Sequence, residues 1–268
     1  TALERNRKKY DLQSKQLKGT EKRDKYKVYG ELINTYGYNL EPGSKELTAL
    51  NYYTNEEITI PLDPTQTPGE NAQRYFAKYN KQKRTFEALT ELIQETADDI
   101  QYLESISNAL DIALNEADLA QIKEELMQSG YIRRKHTKKK VKLTSKPMHY
   151  ISSDGYDMYV GKNNLQNEEL TFSFANGNDW WFHAKGAPGS HVIVKSGGDE
   201  LPDRTFEEAG RLAAYYSKNR GADKVEIDYI QKKHVKKPNG AKPGFVVYYT
   251  NYSLVIDSDI SNIKNVQD

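Results

Sequence analysis

Residues 75–114 read YFAKYNKQKRTFEALTELIQETADDIQYLESISNALDIAL, and the spacing of their seam positions decides the fold. Tyr75, Tyr79, Gln82, Phe86, Leu89, Ile93, Thr96, Ile100, Leu103, Ser107, Leu110 and Leu114 follow one another at alternating steps of four and three. That is the a/d repeat of a coiled-coil seam. Its start is marked by Thr67-Pro68-Gly69-Glu70: an N-cap, a proline at the first helical position, and a glutamate placed to complete a capping box. A long helix is therefore expected from Pro68 onward.

Residues 1–40 read as a second helical stretch with two seam phases. Leu3, Asn6, Tyr10, Gln13 and Leu17 keep one phase; Tyr26, Tyr29, Ile33, Tyr36 and Leu40 keep the other, with Gly19 near the break. Pro42-Gly43, the alternating Ile58-Thr59-Ile60, and Pro61, Pro64 and Pro68 predict a folded tip near 41–69 with a short strand or two. Residues 1–27 hold ten Lys+Arg and four acids, whereas residues 86–130 hold one Lys and eleven acids. Opposite charges beside a seam select partner and orientation. The expectation for 1–130 is an antiparallel two-helix coiled-coil hairpin.

A short helix with Leu119, Ile122 and Leu126 ends at Gly130, and a basic run follows: Arg133, Arg134, Lys135, His136, Lys138, Lys139 and Lys140. Residues 131–268 then have strand grammar. Met148–Ile151 and Tyr156–Val160 flank an Asp154-Gly155 turn, and Trp180–Ala184 and His191–Val194 flank Gly186-Ala187-Pro188-Gly189. Thr205–Lys218 is expected as a helix, with Thr205 as cap and Glu208 completing its box. Val225–Ile230, Phe245–Tyr249 and Ser253–Ile256 read as further strands. The fold class is α+β, the second domain being compact with a mostly antiparallel sheet.

Composition narrows the function. At 268 residues, 29% charged and a mean hydropathy of -0.87, the chain is too polar for one large core, which fits a solvent-rich helical part. The net charge of +1 hides a split: 17 Lys+Arg against 22 acids in 1–130, and 22 against 16 in 131–268. The positive half points to an anionic partner. Without cysteine, disulfides, thiolate zinc sites and cysteine nucleophiles are excluded. No apolar run approaches the ~20 residues of a membrane span, and no signal peptide is read. Thr1 falls inside a charged, helix-favouring run, which reads as a piece of a longer protein.

The densest chemistry lies in Asp179-Trp180-Trp181-Phe182-His183-Ala184-Lys185 and on to Ser190-His191. An acid–base reading pairs His183 with His191 through Asp179 and adds Ser190 as nucleophile. Against it stand the missing nucleophile elbow and the lack of a second cluster of bases or metal ligands. No phosphate loop surrounds Gly161-Lys162. No catalytic residues, metal or cofactor are therefore expected. The structural alternative has the aromatics filling the core, with strand alternation turning only one of Trp180 and Trp181 inward; the other is free to stack on a base or ribose. A second basic run, Lys232, Lys233, His234, Lys236, Lys237 and Lys242, adds phosphate-binding capacity. Trp181, His183, Lys185 and His191, with the two basic runs, are the candidate RNA contacts.

These motifs resemble a known family. Residues 179–185 with Pro188-Gly189-Ser190-His191-Val192-Ile193, and Lys236-Lys237-Pro238-Asn239-Gly240-Ala241-Lys242-Pro243-Gly244, are similar to the signature of the NFACT-R domain. Residues 60–64 and 70–81 resemble the middle coiled-coil segment of the same NFACT family, the group of bacterial RqcH, often named fibronectin-binding protein A-like, and eukaryotic NEMF. The resemblance implies ribosome-associated quality control: binding of stalled 50S large ribosomal subunits (rRNA and ribosomal proteins) and tRNA, in support of untemplated C-terminal alanine tailing of nascent chains. It also implies a cytoplasmic, ribosome-associated location. The family's N-terminal domain and helix-hairpin-helix segment have no match here. The older family name implies the alternative, a surface adhesin for fibronectin or fibrinogen displayed without a signal peptide. No membrane insertion is expected in either case.

Overall fold

The computed structural model describes residues 1–133 and 145–266. Arg134, Lys135, Lys138, Lys139 and Lys140 of the first basic run lie outside the described residues. Packing divides the chain into two compact units, residues 1–100 and 101–268. The sequence boundary at Gly130 and this division differ because Tyr102, Ile106, Ala109, Ile112 and Ile122 are buried within the second unit.

In the first unit, α1 (Ala2–Lys18) opens with a capping box between Thr1 and Glu4. It stops at Gly19, where the seam changes phase, and α2 (Arg23–Tyr36) resumes after a short turn. β1 (Glu46–Asn51) and β2 (Glu56–Pro61) form the antiparallel hairpin of the tip. α3 (Pro68–Ile112) is one continuous helix whose first turn carries the expected box, with the Thr67 amide 2.7 Å from Glu70 Oε2 and the Glu70 amide 3.3 Å from Thr67 Oγ1. Leu32, Ile33, Leu47, Ala49, Ile60, Leu62, Ala72 and Tyr75 make the core of this unit. The Tyr75 hydroxyl donates to the Pro61 carbonyl at 2.6 Å, and its ring meets Tyr26 and Tyr29 of α2. A guanidinium joins the aromatic row further along, Arg23 lying 4.0 Å over the Phe86 ring.

The seam does not run unbroken to Leu114. Tyr75, Leu89, Thr96 and Leu103 are buried, but Leu110 and Leu114 are 48% and 72% exposed, and α3 ends at Ile112. Over the last turns Tyr102, Ile106, Ala109 and Ile112 are inside instead. The buried stripe rotates because these turns pack on the core of the second unit, whose surface is a sheet and helix layer, not a partner helix.

The second unit begins with these turns and α4 (Glu116–Gln128), capped by Asn115. Its sheet is built from β3 (Met148–Ile151), β4 (Asp157–Val160), β5 (Trp180–Ala184), β6 (Val192–Val194), β7 (Val225–Gln231), β8 (Tyr252–Ile256) and β9 (Lys264–Asn265), in the order β8-β7-β5-β6-β4-β3-β9, with every described pair antiparallel. Between β4 and β5 lies α5 (Asn164–Glu169), continued by a wide turn to Phe174. α6 (Asp203–Tyr215) covers one face. Gly155, at φ 89°, makes the β3–β4 turn as the Asp-Gly pair predicts.

Three local expectations change. Helix α6 starts after Pro202, so Thr205 is not its cap. Instead the Thr205 hydroxyl donates to Asp154 Oδ2 at 2.8 Å, and Glu208 accepts from both the Ser153 amide at 2.7 Å and the Ser153 hydroxyl. The pair that imitates a capping box thus holds the β3–β4 turn to the helix. Phe245–Tyr249 is not a strand; its backbone ladder is reduced to an isolated bridge between Lys236 and Val247, while Val246 and Tyr248 pack on the Trp181 face of the sheet.

Alternation does separate the two tryptophans, but it is Trp181, the candidate RNA contact, that turns fully inward, while Trp180 on the opposite face is half-buried. Trp181 and Phe182 are both 0% exposed because each face of the sheet is covered. Phe182 joins the α6 side with Val192, Leu212 and Ile227, while Trp181 joins Leu170, Ile193, Ile230 and Val235 on the other. A one-sided sheet alternates apolar and polar; a sheet packed on both faces does not.

Candidate nucleic-acid interface

The cationic loop after β7 is braced at four backbone points. The Lys232 and Lys233 amides donate to Asp179 O at 2.8 Å and Gly177 O at 3.0 Å, and Lys236 and Val247 exchange reciprocal bonds of 2.9 Å. Val235, between the lysines, is buried beneath them. The Tyr248 hydroxyl donates to Asp228 Oδ2 at 2.9 Å while its ring packs on Trp181 at 5.1 Å. Lys233, His234 and Lys236 are left exposed and Lys232 partly so. With the backbone already ordered, only side-chain freedom is left to be lost when these ammonium groups meet an anion.

The remaining candidates of this run are engaged within the protein. Lys237 Nζ pairs with Glu168 Oε1 at 2.7 Å, and Glu168 also accepts the Gly244 amide at 3.2 Å. Lys242 lies over the Tyr102 ring at 4.6 Å and the Tyr131 ring at 5.6 Å. Its cation fixes the loop against residues that follow the division of the chain. Lys185 is exposed but paired with Glu226. Arg133 is exposed at the edge of the described residues.

Trp181 and His191 are framework, not contact surface. His191 is 3% exposed; its Nδ1 lies 2.8 Å from Thr171 Oγ1 and 3.2 Å from Asn167 O, and its amide donates to Asn167 Oδ1 at 3.0 Å. His183 is half-buried, parallel to Trp181 at 5.7 Å and edge-on to His191 at 5.5 Å. Asp179 orients neither imidazole: its carboxylate takes Lys195 Nζ at 2.5 Å, the Asn176 amide at 2.7 Å and the Ser196 amide at 3.2 Å. The Trp181 indole nitrogen and Ser190 Oγ are buried with no hydrogen-bond partner. Among the described residues, no three His, Cys, Asp or Glu side chains gather to hold a metal.

Both imidazoles favour the neutral form. Burial pushes His183 down to about 4, and burial followed by the neighbouring His183 pushes His191 well below its usual 6.5. The unfolded chain takes up these protons first, so stability is expected to fall as pH drops from 6.5 toward about 4. Denaturant titrations across that window should show a flatter pH slope for His191→Gln than for the parent chain. An equal slope would assign the acid sensitivity to other groups.

Gly161-Lys162, which the sequence marks only as lacking a phosphate loop, opens the stretch Gly161-Lys162-Asn163-Asn164-Leu165-Gln166-Asn167 that is the main joint of the second unit. Lys162, Asn163, Asn164, Gln166 and Asn167 are all at or below 5% exposure. Lys162 Nζ lies 3.0 Å from Asp118 Oδ1, and Asp118 is itself fully buried. Asn164 Nδ2 donates to Glu125 Oε1 and Ser105 Oγ, both at 2.8 Å, while Gln166 Nε2 reaches Gln121 Oε1 and Ser145 Oγ at 2.7 and 2.8 Å. A Cβ at Gly161 would stand 2.1 Å from Asn167 Oδ1, so only glycine lets that amide reach His191. The visible signal was a run of amide side chains directly after a strand. Their partners lie some 40 residues upstream, on α4 and the end of α3.

Glu125 is the strained member of this network. Its Oε2 is buried with no hydrogen-bond partner, and burial raises its carboxyl above 4.5 despite the bonds from Asn164 and Tyr102. A raised carboxyl favours the fold at low pH and costs stability as pH climbs through its own pKa. Glu125→Gln is expected to stabilise the chain at pH 7 by on the order of 1 kcal/mol. The gain should shrink as pH falls toward 4.5, and thermal melts at both ends would show it.

Two family models meet at residues 145 and 146. The model of the NFACT N-terminal and middle domains matches residues 1–145, and the model of the NFACT protein RNA binding domain matches residues 146–249. The chain belongs to the NFACT family. It is 42% identical over 266 residues to the Rqc2 homolog RqcH of Streptococcus pneumoniae strain D39, covering 99% of this chain and 48% of that protein. Similarity to the Rqc2 homolog RqcH of Bacillus subtilis strain 168 is 39% over 266 residues, 97% of this chain and 46% of that protein. This NFACT chain thus spans about half the length of the curated relatives it matches. Among solved structures, the C-terminal part of the fibronectin/fibrinogen-binding protein from Streptococcus suis superposes with a TM-score of 0.73 at 38% identity, covering 97% of this chain and 91% of that one. The matched NFACT RNA-binding domain ends before β8 and β9, which the structure adds to either edge of its sheet.

Proposed function

We propose that this NFACT chain is the RNA-holding part of a ribosome-associated quality control factor and makes or breaks no covalent bond itself. On this reading it binds large ribosomal subunits and tRNA and supports untemplated alanine tailing, with α1, α2 and the first part of α3 acting as an antiparallel coiled-coil arm. The observation that carries it is the cationic loop Lys232–Lys236: four basic residues on a braced backbone, beside a sheet packed on both faces. The sequence carries a further basic run at residues 133–140. Relatives named RqcH and the RNA-binding domain match support the same reading.

Filter binding of the chain to tRNA and to isolated large subunits over a salt series is the direct test. Phosphate contacts release counterions, so affinity should fall steeply as salt rises, with a log–log slope of roughly -0.7 per contact on single strands. Absence of binding at low ionic strength would overturn the reading. The name of the Streptococcus suis relative attaches fibronectin and fibrinogen to that protein, and immobilised fibronectin is the matching second assay. Saturable binding there, with none to RNA, would favour an adhesin. No helix among the described residues is long and apolar enough to cross a membrane.

A further inference from the structure

Near α6's N-terminus the second unit carries a concavity opposite in character to the cationic loop, with a volume of about 460 Å³. Its floor is aromatic. Trp180 meets Phe206 edge-on at 4.9 Å and lies 5.8 Å from Tyr229 and 6.4 Å from Tyr252, and Tyr229 and Tyr252 stack at 5.5 Å. The sheet register produces this row: Tyr229 stands opposite both Phe182 on β5 and Tyr252 on β8, with Trp180 one pleat away on the same face. Trp180, Phe206 and Tyr229 are half-buried, and Tyr252 is 60% exposed.

The rim is acidic. Asp199, Glu200 and Asp203 line the concavity, all exposed, with Gln231 as the remaining polar side chain and no lysine or arginine among the lining residues. None of the three carboxylates is in an ion pair among the described residues. Burial first, then Tyr252 and the Asp203 carboxylate, raise the Tyr229 phenol, so the acidic field reaches the aromatic floor. The positive end of α6 opposes a cation, but amounts to only about half a unit charge against three carboxylates.

An exposed aromatic platform in an RNA-binding domain invites a stacked base, yet three unpaired carboxylates repel the phosphates that such a base brings with it. The faces of Trp and Tyr attract cations held within about 6 Å of a ring centre. We infer that this concavity is a site for a lysine or arginine side chain carried on a basic protein segment. It gives the domain two poles, a cationic loop for nucleic acid and an aromatic–acidic cage for a cationic protein partner. The segment has room beside β8, the edge strand of the sheet, whose Val255 is also exposed at 61%.

The chain has two tryptophans, so its indole N–H region in a nitrogen–proton NMR spectrum holds two signals, one from the cage and one from the sealed Trp181. The chain would be titrated with blocked tripeptides centred on lysine, arginine or norleucine, with spermidine, and with oligouridine. The site predicts a saturable shift of the Trp180 signal with the lysine and arginine peptides, none with norleucine, and a still Trp181 signal. Asp199→Asn with Glu200→Gln, both on exposed positions, should weaken the peptides by about fivefold or more. Tyr252→Ala should do likewise while leaving RNA affinity unchanged. An equal response to norleucine, or no saturable shift, overturns the proposal. A stronger response to oligouridine would make the cage a base platform, and preference for spermidine over the peptides would make it a polyamine site; either result also overturns it.

Discussion

Replacing Lys232, Lys233 and Lys236 together by glutamine is expected to lower the affinity of this chain for tRNA about a hundredfold at ~0.1 M salt. Each ammonium that meets a phosphate contributes about 0.7 of a decade per decade of salt on single strands and about 0.9 on duplex, and tRNA is mostly base-paired. Removing three should therefore also flatten the log–log salt slope by about two to three. The braced backbone makes the loss specific: the bridge to Val247 and the bonds to Gly177 and Asp179 use main-chain atoms, which the substitutions leave in place. Lys237→Gln is the internal comparison. Its ammonium is already paired with Glu168, so its slope change should be well under one. Equal effects at Lys237 and at the triple site would show that general charge, not this loop geometry, holds the RNA.

Asp118→Ala is expected to destabilise the second unit by about 3–5 kcal/mol, because it strands the Lys162 ammonium in the interior. Asp118 is 0% exposed and receives three donors: Lys162 Nζ at 3.0 Å, Ser145 Oγ at 2.5 Å and the Leu114 amide at 3.0 Å. Burial by itself would raise its carboxyl, but the bonds from Ser145 and Leu114 and the Lys162 charge outweigh it and hold the group below 3.8. The stability it supplies is present above 3.8 and is lost as pH falls through the depressed value. A melt followed by tryptophan fluorescence reports this unit, since both tryptophans lie in it. Asp118→Leu with Lys162→Met should recover most of the loss, as apolar replacements of a buried pair often do. A double variant as unstable as the single one would show that Ser145 and Leu114, not Lys162, carry the interaction.

Local sequence spoke clearly wherever a signal and its structural consequence lie within a few residues of each other. The box at Thr67 and Glu70, the Asp154-Gly155 turn, the phase break at Gly19 and the strand of Trp180–Ala184 each follow from nearest-neighbour chemistry. The exposed lysines of the loop were legible for the same reason: a run of like charges has nowhere to go but the surface. Thr205 and Glu208 show the limit. Their spacing suits a capping box, yet the helix started earlier and both side chains turned to the tip of a hairpin 51 or more residues away in sequence.

What the amino-acid order settled alone was the long helix from Pro68, the antiparallel α+β character of the second half, and membership motifs long enough to name a family. Only tertiary structure decided that Trp181 and His191 are interior, that Lys237 and Lys242 are occupied by partners inside the protein, and that Gly161–Asn167 is a buried joint. The physical reason is the same in each case. Burial of a polar or aromatic side chain depends on what covers it, and the covering groups here (Glu168, Tyr102, Asp118, Glu125 and the Val235–Tyr248 segment) come from elements dozens of residues away.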